Sequence, residues 1–278
     1  MPRLPRFILL ASALLATRAS AQDSARVELV FLDVGQGDAV LIRGPGGKVA
    51  LIDAGRRRTQ VADELARLGV DTIHLVVASH PHADHIGGME DVLRRFPVRR
   101  YLDDASPHTT QTYRQLMALV TQLSQARDSF YLAPTLRTIG LGDVRLRVLP
   151  PPEAAGDLND RSVGLLLEFG EFRALFPGDA EVAELAHFVG LGVPQVTVLK
   201  ASHHGARNGV SPGWINSTRP RVVVISVGAR NSFGHPDPWA VRYYGSHETP
   251  VYRTDIHGRI VIRGARDGTH EVTTQHAP

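Results

Sequence analysis

The sequence SHPHADHIGG, residues 79–88, places three histidines and one aspartate within six consecutive positions. An apolar run that predicts a buried strand, Ile73–Ala78 (IHLVVA), ends directly before it. A helix is predicted directly after it, over Ile86–Phe96. The cluster is therefore expected in a turn between a strand and a helix, at the strand end where α/β folds build their sites.

The side chains of this turn form a set of metal-binding groups. Because side chains alternate along an extended segment, His80 and His82 are expected to point to the same side of the chain. The turn then brings Asp84 and His85 next to them. Imidazole and carboxylate groups at this spacing predict a site for Zn²⁺ or Mn²⁺. The alternative interpretation is a solvated, histidine-rich loop.

Polar side chains follow three further apolar strands in the second half of the chain. Asp179 stands in LFPGDAE, the pair His203 and His204 in LKASHHGARNG, and His235 in NSFGHPDP. Each of these signals is weak alone, since an aspartate at a strand end is most often part of a turn and a single histidine is most often structural. Together with the first cluster they predict one convergent site.

Each half of the chain begins with several strands and continues with alternating helices and strands. This order predicts an α/β fold in which two sheets pack face to face with helices outside, a four-layer αβ/βα sandwich. The predicted strands are Val27–Leu32, Ala39–Ile42, Val49–Ile52, Ile73–Ala78, Leu136–Ile139, Val144–Val148, Val163–Phe169, Phe172–Phe176, Val196–Leu199, Arg221–Val227, Pro250–Tyr252 and Arg259–Arg263. The other predicted helices are Thr59–Leu68, Thr110–Arg127, Ala180–Phe188 and Pro238–Tyr244.

The first 21 residues have the pattern of an export signal: a basic start, the apolar run Phe7–Ala16 and small residues before Gln22. We therefore expect a signal peptide over 1–21, a single domain over 22–278 and a secreted or periplasmic protein. A membrane anchor is the alternative, but the apolar run is about half of what a membrane span needs. No stable membrane association is expected after signal removal, because no later stretch is apolar enough to span a membrane. The chain contains no cysteine, so no disulfide is expected.

The charge balance argues against a nucleic-acid partner that is bound through an overall excess of basic residues. The chain has 31 basic and 28 acidic residues. Arg3, Arg6 and Arg18 lie in the predicted signal, which has no acidic residue, so the remainder is formally neutral. This removes the simplest electrostatic argument for tight nucleic-acid binding. The local cluster Arg56-Arg57-Arg58 is interpreted as a solvated face.

The motifs of the chain, taken in order, resemble the metallo-β-lactamase-fold hydrolases. Within that superfamily the sequence is most similar to the hydrolase domain of ComEC-type competence proteins and their stand-alone secreted relatives. The matching segments are FLDVGQGDAVLI (31–42), LIDAG (51–55), HPHADH (80–85), NDRSVGLLLEF (159–169), FPGD (176–179), LKASHHG (199–205), FGHP (233–236) and TDIHG (254–258).

The resemblance implies two divalent metal ions, Zn or Mn, and a hydroxide held between them that attacks an ester without a side-chain nucleophile. The implied ligands are His80 and His82 for the first ion, Asp84, His85 and one histidine of the pair 203–204 for the second, and Asp179 for both. His204 is favoured as the ligand and His203 as part of the pocket wall. Asp84 is implied to orient the hydroxide.

Further catalytic candidates are Asp84, Asp179, His203, His235 and Lys200. For Lys200 a salt bridge beneath the site is the alternative. Asn159, Asp160 and Arg207 are candidates for substrate contacts or support.

The sequence departs from the superfamily pattern at the first metal. The superfamily usually supplies another histidine between the first cluster and Asp179, and only His108 lies in that interval. Asp160 or Asn159 is the expected substitute, and a weak first site or one completed by water is the alternative.

The sequence therefore predicts a secreted dinuclear hydrolase that cleaves a small ester or phosphodiester, with extracellular DNA as a candidate substrate and no protein partner. A lactonase or β-lactamase is the first alternative. A β-lactamase is disfavoured, because a bridging aspartate is not typical of its site and no cysteine is present. The second alternative is a non-enzymatic binding protein on the same fold.

Overall fold

The computed structural model describes residues 26–128, 130–154, 156–246 and 248–277. The predicted signal peptide, residues 1–21, lies outside them. The first half of the chain forms β1 (Val27–Phe31), β2 (Val40–Arg43), β3 (Val49–Ile52), α1 (Val61–Arg67), β4 (Leu75–Val77), α2 (Ala83–Ile86), α3 (Met89–Arg95), β5 (Tyr101–Leu102), α4 (Gln111–Ala126) and β6 (Tyr131–Leu132).

The second half is built in the same style. It forms β7 (Arg137–Leu141), β8 (Val144–Leu149), β9 (Gly164–Phe169), β10 (Phe172–Phe176), α5 (Val182–Gly190), β11 (Val198–Lys200), α6 (Pro212–Thr218), β12 (Val222–Ile225), α7 (Pro238–Gly245), β13 (Val251–Arg253), α8 (Thr254–His257), β14 (Ile260–Gly264) and β15 (His270–Thr274). Single 3₁₀ turns lie at Asn159–Arg161, Ser202–Gly205 and Arg207–Gly209.

These strands form two sheets. One has the order β15-β14-β1-β2-β3-β4-β5-β6, and the other has the order β13-β12-β11-β10-β9-β8-β7. In each sheet, hairpins pair antiparallel on one side and helical crossovers give parallel pairs on the other: β3-β4-β5 in the first sheet and β10-β11-β12-β13 in the second. Both sheets therefore have parallel strands whose carboxyl ends can supply a site.

Three apolar layers hold the sheets and helices together. Strand β1 shows why: Leu29 and Phe31 lie in the core between the sheets, while Val30 packs in the core beneath the helices of the first half. A third core joins the second sheet to α5, α6 and α7, with Phe188 and Trp214 among its buried residues. A strand in a sheet that is buried on both faces needs apolar side chains at successive positions. The predicted four-layer αβ/βα sandwich is confirmed.

Five elements were not predicted. The strands β5 and β6 have two residues each and carry no periodic signal, and α6 contains glycine, asparagine and serine, which weaken its helical pattern. The helix α8 has only four residues, which is too short for a periodic pattern. No strand is predicted after Arg259–Arg263, but the half-buried edge strand β15 follows it.

The predicted helix over Ile86–Phe96 is divided into α2 and α3 at Gly87 and Gly88. A side chain at Gly87 would come within 2.4 Å of the Ala83 carbonyl oxygen, and one at Gly88 within 2.3 Å of the Ala54 carbonyl oxygen. The division thus accompanies a close approach of the backbone after β3 to the histidine turn. None of the helices in the described ranges is long and apolar enough to span a bilayer.

The contact between the sheets can be tested at Phe176, which is 2% exposed and whose ring centroid lies 6.2 Å from that of Phe31 in the other sheet. We expect Phe176→Ala to lower the free energy of unfolding by about 3 to 5 kcal/mol, since it leaves a cavity between the sheets. Urea unfolding followed by circular dichroism measures this. Leu136→Ala, at a side chain that is 56% exposed, is the control and should change it by less than about 0.5 kcal/mol. Equal effects of the two changes would contradict the assigned core.

Candidate metal centre

The histidine turn follows β4 at the carboxyl end of the parallel strands of the first sheet. His80 and His85 are completely buried, and His82 has an extended backbone at the position before α2. His80 Nε2 and His82 Nδ1 lie 2.9 Å apart, so the two side chains share one side of the chain as the alternation predicts. Asp84 and His85 lie in the first turn of α2. The turn therefore presents its polar groups as a single cluster.

The second sheet supplies the facing groups. Asp179 follows β10, and His203 and His204 follow β11 with left-handed backbones at φ +48° and +53°. His235 lies in the loop after β12. Because β10, β11 and β12 run parallel, their following residues meet at the same edge of the sandwich as the histidine turn. The left-handed backbones of His203 and His204 turn their two imidazoles in different directions.

The carboxylate of Asp179 lies at the centre of the cluster. Its Oδ2 atom is 3.1 Å from His85 Nε2, 3.2 Å from His204 Nε2 and 3.9 Å from His80 Nε2. His204 Nε2 is also 3.6 Å from Asp84 Oδ2. Groups from both sheets are thus within ligand distance of one another around a single buried carboxylate.

A second row of charged groups lies beneath the cluster. His85 Nδ1 is 2.8 Å from Asp53 Oδ2, and Asp53 also accepts hydrogen bonds from the amide and hydroxyl of Ser79. The ammonium group of Lys200 pairs with the Asp38 carboxylate, donates to the Gly178 carbonyl oxygen at 3.0 Å and lies 3.5 Å from Asp179 Oδ1. These contacts fix the orientation of the groups above them.

The buried carboxylates and imidazoles change each other's protonation. Burial alone lowers the pKa of His85, but Asp179 and Asp53 outweigh it and hold that pKa well above its usual value. The pKa of His204 is likewise raised, against burial, by Asp179 and Asp38. Burial raises the pKa of Asp179, and His204 and His85 more than offset this, so that its pKa lies well below the usual range. The site therefore holds ionised carboxylates that attract cations, whether protons or metal ions.

The residues fit a metal site. His204 Nε2 and Asp179 Oδ1 are buried and make no well-aligned hydrogen bond to any residue that the structure describes. Buried polar atoms without a partner are costly, and a bound cation would satisfy both. The groups that lie close enough to hold an ion are His80, His85 and Asp179; Asp84, His85 and His204; Asp38, Asp179 and His204; and Asp38, Asp53 and His85. Nitrogen and carboxylate oxygen donors of this kind suit a divalent metal.

An open cavity of about 330 Å³ lies above these groups. Its lining residues are Gln36, His82, Ala83, Asp84, Asn159, Asp179, His203, His204, Phe233 and His235. The imidazoles of His203 and His235 form part of its wall, with ring centroids 5.3 Å apart. Burial and the neighbouring His203 lower the pKa of His235. A neutral imidazole therefore faces the cavity at pH 7.

The remaining sequence candidates lie in different places. Lys200 is 2% exposed and lies behind the carboxylates rather than along the cavity, which corresponds to the alternative of a salt bridge beneath the site. Asp160 accepts a hydrogen bond from the Glu181 amide, whereas Asn159 lines the cavity. Arg207 is exposed and lies 4.7 Å from the Trp239 ring centroid. His108 donates to or accepts from the Thr110 hydroxyl, with its ring centroid 6.5 Å from that of His82.

No metal-site role is predicted for Asp53, although it lies in the matching segment LIDAG. The only signal is its position at the end of a buried strand, one sheet position from the histidine turn. No site role is predicted for Asp38 and Gln36, which lie in the matching segment FLDVGQGDAVLI. In the structure Gln36 lines the cavity. Asp38 Oδ1 lies 3.4 Å from His204 Nδ1, and Asp38 Oδ2 lies 3.7 Å from His85 Nδ1.

A family model described as the metallo-beta-lactamase superfamily matches residues 32–228, which include both halves of this site except for the loop at His235. The chain belongs to the metallo-beta-lactamase superfamily. The resemblance to this superfamily seen in the sequence is therefore confirmed, and the fold carries candidate metal-binding groups.

The relatives agree with the ComEC-type branch. The chain is 24% identical over 264 residues to ComE operon protein 3 of Bacillus subtilis (strain 168), which covers 86% of the chain and 33% of that protein. It is 25% identical over 244 residues to Recombination protein 2 of Haemophilus influenzae, covering 85% of the chain and 29% of that protein. The chain thus spans about a third of the length of these relatives.

Among solved structures, the chain is similar to a diphosphatase of the PhnP family. The TM-score is 0.51 at 14% identity, and the match covers 86% of the chain and 98% of the other protein. At this identity the likeness shows the shared fold.

Two linked hydrogen bonds connect the backbone amide of Asp179 to the buried carboxyl group of Glu184. The Asp179 amide donates to the Ser162 hydroxyl at 3.0 Å, and the Ser162 amide donates to Glu184 Oε2 at 3.2 Å. Glu184 is completely buried, and burial raises its pKa to about 10. Its carboxyl group is therefore protonated at neutral pH.

We expect Asp53→Asn to lower the affinity for Zn²⁺ or Mn²⁺ by about 10- to 100-fold, because one acceptor oxygen beside His85 and Ser79 becomes a donor and no longer fixes the imidazole. Competition with a chromophoric chelator measures the affinity. Asp63→Asn is the control, since Asp63 forms an exposed ion pair with Arg95. Unchanged affinity in Asp53→Asn would show that this hydrogen bond does not support the site.

Glu184→Gln is expected to stabilise the protein increasingly as pH rises from 5 to 8. Above the ordinary pKa of 4.5 the unfolded state ionises Glu184, while the folded state keeps its proton up to about pH 10. The unfolded state then binds fewer protons, so the wild-type free energy of unfolding falls by up to about 1.4 kcal/mol per pH unit for this group. Glutamine does not titrate. Urea unfolding of both proteins at pH 5 and pH 8 measures the difference, and a pH-independent difference would contradict the buried, protonated carboxyl.

Proposed function

We propose that this protein is a secreted dinuclear hydrolase that cleaves phosphodiesters, with extracellular nucleic acid as its substrate. The single observation that carries the dinuclear part is the central position of Asp179. Its Oδ2 atom lies within 3.9 Å of His80, His85 and His204, which come from two different sheets. One carboxylate within reach of two groups of imidazoles is what a shared ligand of two ions requires.

In this proposal the ligands divide as the sequence resemblance implies. His80 and His82 hold the first ion, Asp84, His85 and His204 hold the second, and Asp179 contacts both. Asn159 is the proposed substitute for the missing first-site histidine, because it lines the same cavity and its Oδ1 atom is buried with no hydrogen-bond partner among the described residues. Asp160 is not proposed for this role, since it is engaged by the Glu181 amide.

Bound divalent ions lower the pKa of water and stabilise negative charge on a reacting phosphate. The protein's own groups complete the site. The neutral imidazole of His235 and the adjacent His203 are placed in the cavity wall to donate hydrogen bonds to phosphate oxygens. Lys200 keeps Asp38 and Asp179 ionised from beneath. Asp53 holds His85 in the tautomer that leaves its Nε2 atom free to bind an ion.

A phosphodiester is favoured over a lactone or β-lactam by the charge of the site. The cavity holds several imidazoles and would hold two dications, which together suit an anionic substrate. The similarity to a diphosphatase of the same fold and to competence proteins supports this choice. The predicted export signal supports an extracellular polymer as the source of the diester.

The proposal predicts that the purified protein, loaded with Mn²⁺ or Zn²⁺, hydrolyses bis(p-nitrophenyl) phosphate. We expect Asp179→Ala to lower this turnover at least about 100-fold and to reduce the bound metal measured by elemental analysis, because it removes the shared ligand. Asp143→Ala is the control, since Asp143 is exposed and pairs only with Arg266 among the described residues. Its turnover should equal that of the wild type.

Other outcomes distinguish the alternatives. Wild-type turnover in Asp179→Ala would refute the central role of this carboxylate. Two bound metal equivalents without diester hydrolysis, together with cleavage of a lactone or a chromogenic cephalosporin, would identify a hydrolase of a different substrate class. A protein that cleaves none of these substrates and holds less than one metal equivalent would support the non-enzymatic alternative.

A further inference from the structure

One large apolar side chain is exposed at the edge of the candidate site. Phe233 is 54% exposed and lines the cavity that contains His203, His204 and His235. The other large exposed hydrophobic residues in the described part of the chain are Leu136, Val182 and Ile256, and none of them lines this cavity. An apolar ring at the mouth of a polar site is the kind of exposed apolar surface that indicates a ligand contact.

The loop that carries Phe233 is held in a defined conformation. The Asn231 amide nitrogen donates to the carbonyl oxygens of Gly228 and His235, at 2.8 and 2.6 Å. Its Oδ1 atom accepts hydrogen bonds from the amides of Phe233 and His235, at 3.1 and 3.0 Å. One side chain thus ties together the whole turn from which the phenyl ring projects. The ring is presented at a fixed position and is not merely part of a free surface loop.

Both ends of this loop are attached to the site. The Gly228 amide donates to Gln36 Oε1 at 3.3 Å, and the Asp237 amide donates to the Gly205 carbonyl oxygen at 2.9 Å. Gln36 lines the cavity, and Gly205 follows His204 directly. The position of the phenyl ring is therefore coupled to the residues that surround the candidate metal centre.

The Phe233 ring lies near the imidazole of His235 in the cavity wall and near the guanidinium of Arg56. The planes of Phe233 and His235 are nearly parallel, at 15°, with ring centroids 6.0 Å apart. The guanidinium carbon of Arg56 lies 5.8 Å from the Phe233 centroid. Arg56 is exposed and forms no ion pair with a described residue, and the same holds for Arg57 and Arg58, which continue its loop. The unpaired charge is local, because the chain beyond its first 21 residues is formally neutral.

We infer that Phe233 and Arg56 form a subsite for the base and the adjoining phosphate of a nucleotide next to the cleaved diester. The inference rests on the proposed phosphodiesterase function and narrows its substrate to a single-stranded nucleic acid. An exposed aromatic ring stacks on bases of any sequence, and the planar guanidinium of arginine binds phosphate through paired hydrogen bonds. A duplex keeps its bases stacked inside, so it cannot place one on this ring. Diesters without a nucleobase would use only the metal centre and Arg56.

Two substrates with the same leaving group test the subsite. We compare thymidine 5′-monophosphate p-nitrophenyl ester with methyl p-nitrophenyl phosphate, which lacks a base. Phe233→Ala should lower kcat/KM for the thymidine ester about tenfold and that for the methyl ester by less than about twofold, since only the former stacks on the ring. Phe233→Tyr should retain the preference. Ile256→Ala, at a side chain that is 48% exposed outside the cavity, is the matched control and should change neither value.

A binding measurement separates failure of this inference from failure of the proposed function. Fluorescence anisotropy with a labelled ten-nucleotide oligothymidylate should show about tenfold weaker binding by Phe233→Ala than by the wild type or Ile256→Ala. Arg56→Ala should reduce the salt dependence of binding by about one ion. The RNA strand of the same sequence and a duplex of the same length identify which form is bound, and we expect the duplex to bind more weakly.

Two results would overturn the inference, and a third would overturn only the proposed function. Equal losses on both esters in Phe233→Ala would show that the ring only shapes the site. Equal binding of the single strand by wild type and Phe233→Ala would exclude stacking on this ring, whether or not diesters are hydrolysed. Tight, Phe233-dependent binding without hydrolysis of either ester would support the subsite and refute the phosphodiesterase.

Discussion

The structure depends on a concentration of buried negative charge that must be compensated where the two sheets meet. Asp38, Asp53 and Asp179 are each at most 2% exposed, and one buried ammonium group, that of Lys200, lies among them. Burial of unpaired charge is costly, and the loss of one partner of a buried pair typically costs about 3 to 5 kcal/mol. The neighbouring carboxylates raise the pKa values of His85 and His204, so protonated imidazoles can supply further positive charge. Metal ions would compete with these protons for the same nitrogens, so affinity for metal falls at low pH.

The two-sheet architecture explains how so many polar groups can be buried without weakening the core. Side chains between the sheets are apolar along both inner faces, and the charged groups lie at one edge, beyond the carboxyl ends of β4, β10, β11 and β12. At that edge the backbone is free to form turns, which supply the hydrogen bonds that the carboxylates accept. The Asp179 amide and Ser162, like Ser79 and Asp53, link a turn of one element to a group of another. The same arrangement of strands and turns therefore orients the side chains of the site and packs the sandwich.

Charge and exposure at the mouth of the cavity complement the buried centre. The interior groups attract cations, whereas the rim carries the exposed ring of Phe233, with the exposed guanidinium of Arg56 beside it. A cation-loaded centre with this rim suits an anionic substrate that also has a planar group, which is the chemistry of a nucleotide chain. The bulk composition does not indicate an anionic substrate, because the basic and acidic residues beyond the first 21 residues are equal in number. Only their positions in the structure differ.

The sequence by itself determined the sandwich and the local metal-binding turn. Apolar runs of strand length and the spacing of His80, His82, Asp84 and His85 are short-range patterns, which act within a few residues of one another. Only the tertiary structure decided which distant groups support them. Asp53 is 32 residues from His85, Lys200 lies behind the carboxylates and not in the cavity, and Asn159 rather than Asp160 lines the cavity. Single polar residues carry no periodicity, so their direction is fixed by strand register and by turns at the sheet edge, which arise only when the sheets pair and pack.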